Sequence, residues 1–233
     1  MNSISKKEFY ESITHKDKDI IIEGWEKIFS QMKEDEVRIE DHSHMGFGFV
    51  VKSRFGIQIV DEGRNEFECI QHRIDLWNKF LLTDKPSSSE IQRILWWMEK
   101  PFRPDCLLEI LKKDSSHLTD EEVWELVTDT WSETEFNSGI REVWLELFSI
   151  RKPIPSLKEE LPEEMTVWRG GHCEGFSWTL SREIGEWFVE RFGEETPLLS
   201  MKVKKSDVLF YTNDRHEEEV VLLPKNRLFY EHN

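Results

Sequence analysis

The chain has 233 residues with a formal net charge of −16, which is long enough to bury the core of one large domain or two small ones. Its 10 tryptophans and 15 phenylalanines argue against a disordered chain. Its acidity argues against general attraction to nucleic-acid phosphate, so direct nucleic-acid binding is not expected. Three widely spaced cysteines are typical of reduced thiols. With no signal-peptide core and no stretch of about 20 apolar residues, we expect a soluble cytoplasmic protein.

Residues 1–84 are predicted to form a small α+β region of unknown role. Helical spacing in the first 32 residues links a set of apolar side chains: Ile21, Trp25, Ile28, Phe29 and Met32. Two extended runs, at 47–51 and 57–60, predict a β-hairpin, and Phe67–Ile70 is a candidate third strand. Helical spacing then returns up to Leu81.

A cluster of proline and serine at 83–89 predicts the boundary of a second domain, 85–233, which begins with helices over 87–150. Ser87 and Glu90 have the spacing of a capping box, as do Thr119 and Glu122. The second box opens a stripe that includes Trp131, and a third helix is predicted around 140–148.

Residues 165–233 are predicted to be mainly strands. Apolar or alternating runs lie at 165–169, 177–180, 197–203, 208–211, 217–223 and 228–230. One helix interrupts them, capped by Ser181 and ended by Gly193. Its apolar stripe is predicted to be core: Ile184, Trp187, Phe188 and Phe192. Short strands after a run of helices predict an α+β domain whose sheets face each other.

Three polar elements adjoin these apolar runs. Arg169 ends the first run beside Gly170 and Gly171, where a guanidinium can grip a phosphate bidentately and the glycines let backbone come close. Ser177 and Thr179 share one face of the next strand, and their hydroxyls can fasten neighbouring elements or bind ribose.

The third polar element is the run Glu217-Glu218-Glu219. Residues i and i+2 share a face of a strand, so Glu217 and Glu219 are predicted to point the same way. Of two such carboxylates, one can stabilise a developing positive charge while the other deprotonates a nucleophile. Trp178 and the aromatic helix, with Phe188, can supply the wall for a flat ring.

This ordered set resembles the mono-ADP-ribosyltransferases of the Arg-Ser-Glu clade, a superfamily that includes bacterial toxins and phage-encoded enzymes. The resemblance covers 165–224, and the helices from about residue 87 resemble the helical lobe that precedes the core in this family. It implies an α+β, ADP-ribosyltransferase-like fold, in which two facing, mainly antiparallel sheets surround a cleft for NAD. Residues 1–84 lie outside it.

Residue by residue, the resemblance implies that Arg169 binds the NAD phosphate and adjoining ribose, and that Ser177 braces the catalytic glutamate, with Thr179 completing the motif. Glu219 would be that glutamate, and Glu217 would prepare the acceptor, an arginine of an unidentified protein; the acidity of this chain favours a basic target. NAD is the implied substrate, and no metal is required. Trp178 departs from the family pattern, which often has a small residue there. The run of glutamates leaves Glu218 open as the catalytic residue, although Glu219 directly precedes the apolar run.

Other hypotheses remain open beside the transferase. NAD hydrolysis would replace the acceptor by water, and an inactive relative would act as a binding module. His172, Cys173, Asp214 and His216 fit no closed zinc pattern. A nucleophilic pair formed by Cys173 and His216 has no supporting sequence context. His42 and His44 are interpreted as part of a polar loop.

Overall fold

The computed structural model describes residues 3–14, 16–34, 37–42, 48–60, 67–134, 141–193, 196–223 and 230–232. It is an α+β protein that divides into two compact units, Met1–Leu118 and Thr119–Asn233, here called the N-terminal and C-terminal units. Each contains one antiparallel sheet. Within the described ranges, no helix is long and apolar enough to cross a membrane.

In its described residues, the N-terminal unit combines five α-helices with a three-stranded sheet of order β1-β2-β3. Its elements are α1 (Lys6–Ser12), α2 (Lys18–Phe29), β1 (Val37–Asp41), β2 (Phe49–Ser53), β3 (Gly56–Val60), α3 (Phe67–Leu81), α4 (Ser88–Trp96) and α5 (Arg103–Lys113). The predicted early helix and the hairpin are confirmed, although Phe47 lies outside the described residues. The strand predicted at Phe67–Ile70 is wrong, because these residues open α3, whose Ile70, Ile74 and Trp77 are buried at helical spacing. The third strand is β1.

The proline- and serine-rich segment predicted as a domain boundary lies inside the N-terminal unit, as a turn between α3 and α4. The Ser87–Glu90 capping box is present and starts α4. His117 Nε2 lies 2.8 Å from the Pro86 oxygen, and Lys113 Nζ donates to the Leu81 oxygen. These contacts join the end of α5 to the turn, so the unit extends to Leu118.

The C-terminal unit opens with the second capping box, in which Thr119 and Glu122 exchange hydrogen bonds of 2.9 and 3.2 Å. Its elements are α6 (Asp120–Glu133), α7 (Arg141–Ile150), β4 (Glu164–Gly170), β5 (Ser177–Thr179), α8 (Arg182–Phe192), β6 (Leu198–Lys204), β7 (Val208–Thr212), β8 (Glu219–Leu222) and β9 (Tyr230–His232). The strands form one antiparallel sheet of order β7-β8-β5-β4-β6-β9. The described strands of this unit therefore form one sheet, whereas two facing sheets were expected.

Opposite faces of this sheet pack in different ways. One face carries Trp178 of β5 and Val220 of β8 within an aliphatic cluster that includes Val167 and Met201. The other face meets rings from α6 and α7, which pack with Phe176 and Phe210 in one aromatic cluster: Trp124, Trp131, Trp144 and Phe148. A helical layer therefore covers the face that carries Thr179 and Glu219.

Helix α8 lies on β4 through a close approach of two backbones. A Cβ added at Gly170 would lie 2.5 Å from the Val189 nitrogen and 2.7 Å from the Gly185 oxygen, so only glycine fits there. Gly185 is the buried residue of α8, whereas Trp187 is 48% and Phe192 52% exposed. The prediction that the stripe is core is wrong for Trp187 and Phe192, because the glycine contact turns these rings outward; Ile184 and Phe188 are half-buried.

Candidate active site

The three polar elements, distant in sequence, lie on adjacent strands. In the sheet order, β5 with Ser177 and Thr179 separates β4, which carries Arg169, from β8, which begins at Glu219. Thr179 pairs with Trp168 on one side and with Glu219 on the other. The sheet therefore brings the three elements onto adjacent strands, with Thr179 and Glu219 on one face; the register places Trp168 on that face and Arg169 on the next position of β4.

Glu219 is a buried carboxylate that is only 3% exposed. Its Oε1 accepts a hydrogen bond of 3.1 Å from the indole Nε1 of Trp131, which belongs to α6. Its Oε2 accepts one of 3.2 Å from Nη2 of Arg215. Because a buried carboxylate needs hydrogen-bond donors and an opposite charge, these two contacts hold Glu219 in one orientation.

Glu217 precedes the strand that was predicted to contain it, since β8 starts only at Glu219. Between them, Glu218 has a left-handed backbone with φ of 46°, so simple strand alternation does not relate the two acids. Both carboxylates nevertheless reach Arg215, whose Nη2 lies 3.4 Å from Oε2 of Glu217. Burial raises the pKa of the Glu217 carboxyl; Arg215 opposes the rise and the charge of Glu219 adds to it.

The two hydroxyl residues of β5 occupy different positions relative to the glutamates. Ser177 pairs with Val221, whereas Thr179 is the direct cross-strand neighbour of Glu219. Thr179 Oγ1 donates to the backbone carbonyl oxygen of Glu217 at 2.6 Å and accepts from the backbone amide of Ser181 at 3.1 Å. Thr179 therefore holds the turn at residues 217–219 in place. Trp131, and not Ser177 as expected, provides a hydrogen bond to Glu219.

Arg169 uses its guanidinium on the loop that follows β4. Its Nε donates to the backbone carbonyl oxygen of His172 at 2.8 Å, and its Nη1 donates to the backbone carbonyl oxygen of Ser177. A Cβ on Gly175 would lie 2.1 Å from the guanidinium carbon, so glycine leaves the room that this side chain fills. Burial lowers the pKa of Arg169, and the charge of Glu219 opposes that shift. In this arrangement, Arg169 shapes the loop over 172–177.

The other predicted cofactor contacts have structural surroundings. Trp178 is 2% exposed and donates through Nε1 to the Gly175 oxygen at 3.0 Å, so it packs in the core and cannot line a ligand wall without opening the sheet. Gly170 serves the approach of α8. Phe188 is half-buried and stacks on Phe192 with centroids 5.8 Å apart, which leaves an aromatic surface on α8.

Other predicted groups do not assemble into a site. Among the described residues, no group of three or more His, Cys, Asp or Glu side chains is placed to hold a metal ion. Cys173 packs against the aliphatic cluster, and His44 lies outside the described residues. A surface concavity of about 480 Å³ lies instead in the N-terminal unit, along α4, lined by Ser89, Gln92, Arg93, Trp96 and Trp97.

Comparison with known proteins returned no match: no family model, no characterised sequence and no solved structure is similar to this chain at a significant level. The site must therefore be interpreted from its own chemistry.

Sequence reasoning missed two of its residues, Trp131 and Arg215. Trp131 belongs to the apolar stripe of α6, whose spacing indicates packing and gives no sign of its N–H partner. Arg215 precedes Glu219 by four residues in an irregular loop, where no periodicity applies.

Proposed function

We propose that this chain is an NAD-dependent mono-ADP-ribosyltransferase, with a protein arginine as acceptor and an ADP-ribosyltransferase-like C-terminal unit whose described strands form one sheet instead of two facing sheets. The observation that supports this function best is the placement of three separate elements on the adjacent strands β4, β5 and β8, with a buried and oriented Glu219 at the end of β8. The reaction would take place in a cytoplasm, where the free thiols of Cys69, Cys106 and Cys173 remain reduced.

In this proposal, Glu219 stabilises the positive charge that develops on the ribose as the bond to nicotinamide breaks. A carboxylate that Trp131 and Arg215 already orient needs little reorganisation at that moment. Glu217, whose pKa is raised by burial, accepts a proton from the acceptor guanidinium. Arg169 keeps the loop at 172–177 in place beside the reacting groups and, with movement of its side chain, would meet the NAD phosphate.

The test is incubation of the purified chain with labelled NAD, with and without a cell extract, beside Glu219→Gln. Glu186→Gln, which removes an exposed carboxylate of α8, is the control. We expect protein labelling by the wild type and the control, and a loss of about 100-fold or more in Glu219→Gln, because oriented charge contributes that much to such transition states. Release of free ADP-ribose in both conditions without labelling would favour NAD hydrolysis. NAD binding without cleavage would refute the enzyme and favour a binding module.

A further inference from the structure

A guanidinium of the chain itself lies between the two glutamates. Nη2 of Arg215 is 3.2 Å from Oε2 of Glu219 and 3.4 Å from Oε2 of Glu217. The proposed function assigns Glu219 to the ribose cation and Glu217 to the acceptor guanidinium. Arg215 therefore occupies the position, and has the chemistry, of an arginine acceptor.

The loop that carries Arg215 is held by several hydrogen bonds. Asn213 Oδ1 accepts from the Glu218 amide at 3.1 Å, and the Asn213 backbone oxygen accepts from the His216 amide at 3.0 Å. Ser132 Oγ of α6 donates to Asp214 Oδ2 at 3.0 Å. Because the loop is fixed on both sides of Arg215, the guanidinium is presented to the carboxylates at a high effective concentration.

Neighbouring arginines have other surroundings. Arg169 donates to the oxygens of His172 and Ser177. Arg191 lies 5.2 Å from the centroid of the Trp187 ring, and its charge acts on Glu217, where it opposes the rise in pKa. Arg182 pairs with Glu186 at 2.8 Å on the surface of α8. Arg215 is also solvent-accessible, with a side chain that is 38% exposed, so a dinucleotide can approach it from outside.

We propose that Arg215 is an internal acceptor and that the chain ADP-ribosylates itself at this side chain; this inference rests on the proposed function. The bond between the ribose C1′ and the nicotinamide nitrogen breaks, and its electron pair leaves with neutral nicotinamide. Glu217 takes one proton from the Arg215 guanidinium and passes it to solvent, and the freed nitrogen pair forms the new bond to C1′. NAD and the arginine yield ADP-ribosylarginine, nicotinamide and one proton, with no other reactant.

The experiment uses the purified full chain with NAD alone, followed by peptide mapping by mass spectrometry. We expect one ADP-ribose on Arg215, formed at a rate per chain that is independent of protein concentration, because the reaction is intramolecular. Arg215→Lys should lose this label, whereas Arg182→Lys, the matched control, should keep it. Parallel reactions with agmatine, a small guanidino acceptor, report whether the catalytic site works in each variant.

The outcomes separate the two proposals. Transfer to agmatine by the wild type without label on Arg215 would overturn the internal acceptor and leave the transferase intact. Label on Arg191 or another residue, or a rate per chain that rises with protein concentration, would overturn it as well. Absence of NAD cleavage in every reaction would overturn both. If Arg215→Lys also loses transfer to agmatine, the position of ADP-ribose in the wild type decides: label on Arg215 supports the internal acceptor, and its absence there overturns it.

Discussion

Each unit of this protein contains a buried charge next to a tryptophan, but the two charges are satisfied in different ways. In the N-terminal unit, Arg54 is 7% exposed; its guanidinium lies 4.7 Å from the Trp77 ring, and its Nη2 donates to Glu109 at 2.7 Å. In the C-terminal unit, Glu219 is 3% exposed and pairs with Arg215. The two counter-charges are similarly exposed, at 41% for Glu109 and 38% for Arg215, but Glu109 lies on α5 whereas Arg215 lies in a loop.

The groups that surround each buried charge distinguish the two clusters. Arg54 faces inward among Trp77, Phe55 and Cys106, and burial raises the pKa of the Cys106 thiol to about 12, so that thiol stays protonated and inert. Glu219 instead contacts solvent-accessible groups on one side and the aromatic core on the other. A buried charge is more informative about function when its partner lies in a loop, as Arg215 does, than when its partner is fixed on a helix, as Glu109 is.

The largest expected effect on stability comes from Arg54→Met in the N-terminal unit. Loss of the desolvated ring contact with Trp77 costs about 2 kcal/mol of unfolding free energy, and loss of the ion pair with Glu109, whose side chain is 41% exposed, costs about 1 kcal/mol. Denaturant unfolding measures this loss, and Arg38→Met, at an exposed position of β1, is the control. NAD cleavage per folded chain should remain at the wild-type rate. A variant as stable as the control would contradict a structural role for Arg54.

Trp131→Phe tests the other side of the comparison. The change retains a ring in the aromatic cluster but removes the N–H that binds Glu219, so we expect a loss of about 1–3 kcal/mol in unfolding free energy. Turnover of NAD should fall about 10-fold or more with KM little changed, because an oriented carboxylate acts on the transition state.

Trp124→Phe is the matched control for this variant. Trp124 belongs to the same cluster and donates its indole N–H to the Lys152 oxygen at 2.8 Å, away from any carboxylate. The two variants should lose similar stability, and only Trp131→Phe should lose turnover. Equal turnover in both would show that the bond to Glu219 only stabilises the fold.

The smallest expected effect is a pH dependence. Because the pKa of Glu217 is raised above the ordinary value of 4.5, its basic form appears at a higher pH, and the acidic limb of the transfer rate should shift upward accordingly. Ionised Glu217 is less favourable in the folded chain, so its contribution to stability falls as pH rises from 4.5 through the folded pKa. Glu217→Gln should therefore gain stability relative to the wild type over that range. If the difference in unfolding free energy between Glu217→Gln and the wild type does not change with pH, the raised pKa of Glu217 is contradicted.

Local patterns predicted much of the fold, because each depends on residues close in sequence. The capping boxes at Ser87 and Thr119 and the helix between Ser181 and Gly193 are confirmed. Phe67–Ile70 was mistaken for a strand, since a short apolar run has no clear period. The outward aromatic face of α8 depends on the contact of Gly170 with Gly185, which links two separate elements.

The candidate site was predictable to the extent that it follows strand order. Chain order and apolar runs pointed to Arg169, to Ser177 with Thr179, and to Glu219, and the sheet places their strands side by side. The neighbour of Glu219 is Thr179, whereas Ser177 was expected to brace it. The donors to Glu219 were not predictable, because the bond from Trp131 joins residues 88 positions apart. The turn at Glu218 was missed because the strand indicated by the apolar run from Val220 was extended back through three glutamates, which include no glycine, proline or asparagine to indicate a turn.

The left-handed backbone of Glu218 also limits which residues can replace it. Its amide is bound by Asn213, and its oxygen accepts from the Leu180 amide at 3.1 Å, so its place in the turn is fixed by main-chain contacts. Position 218 therefore requires a residue that tolerates positive φ, and it does not require a carboxylate. Relatives of this chain should accordingly drift to glycine or asparagine at 218 while keeping acids on both sides, and a β-branched residue there should be rare.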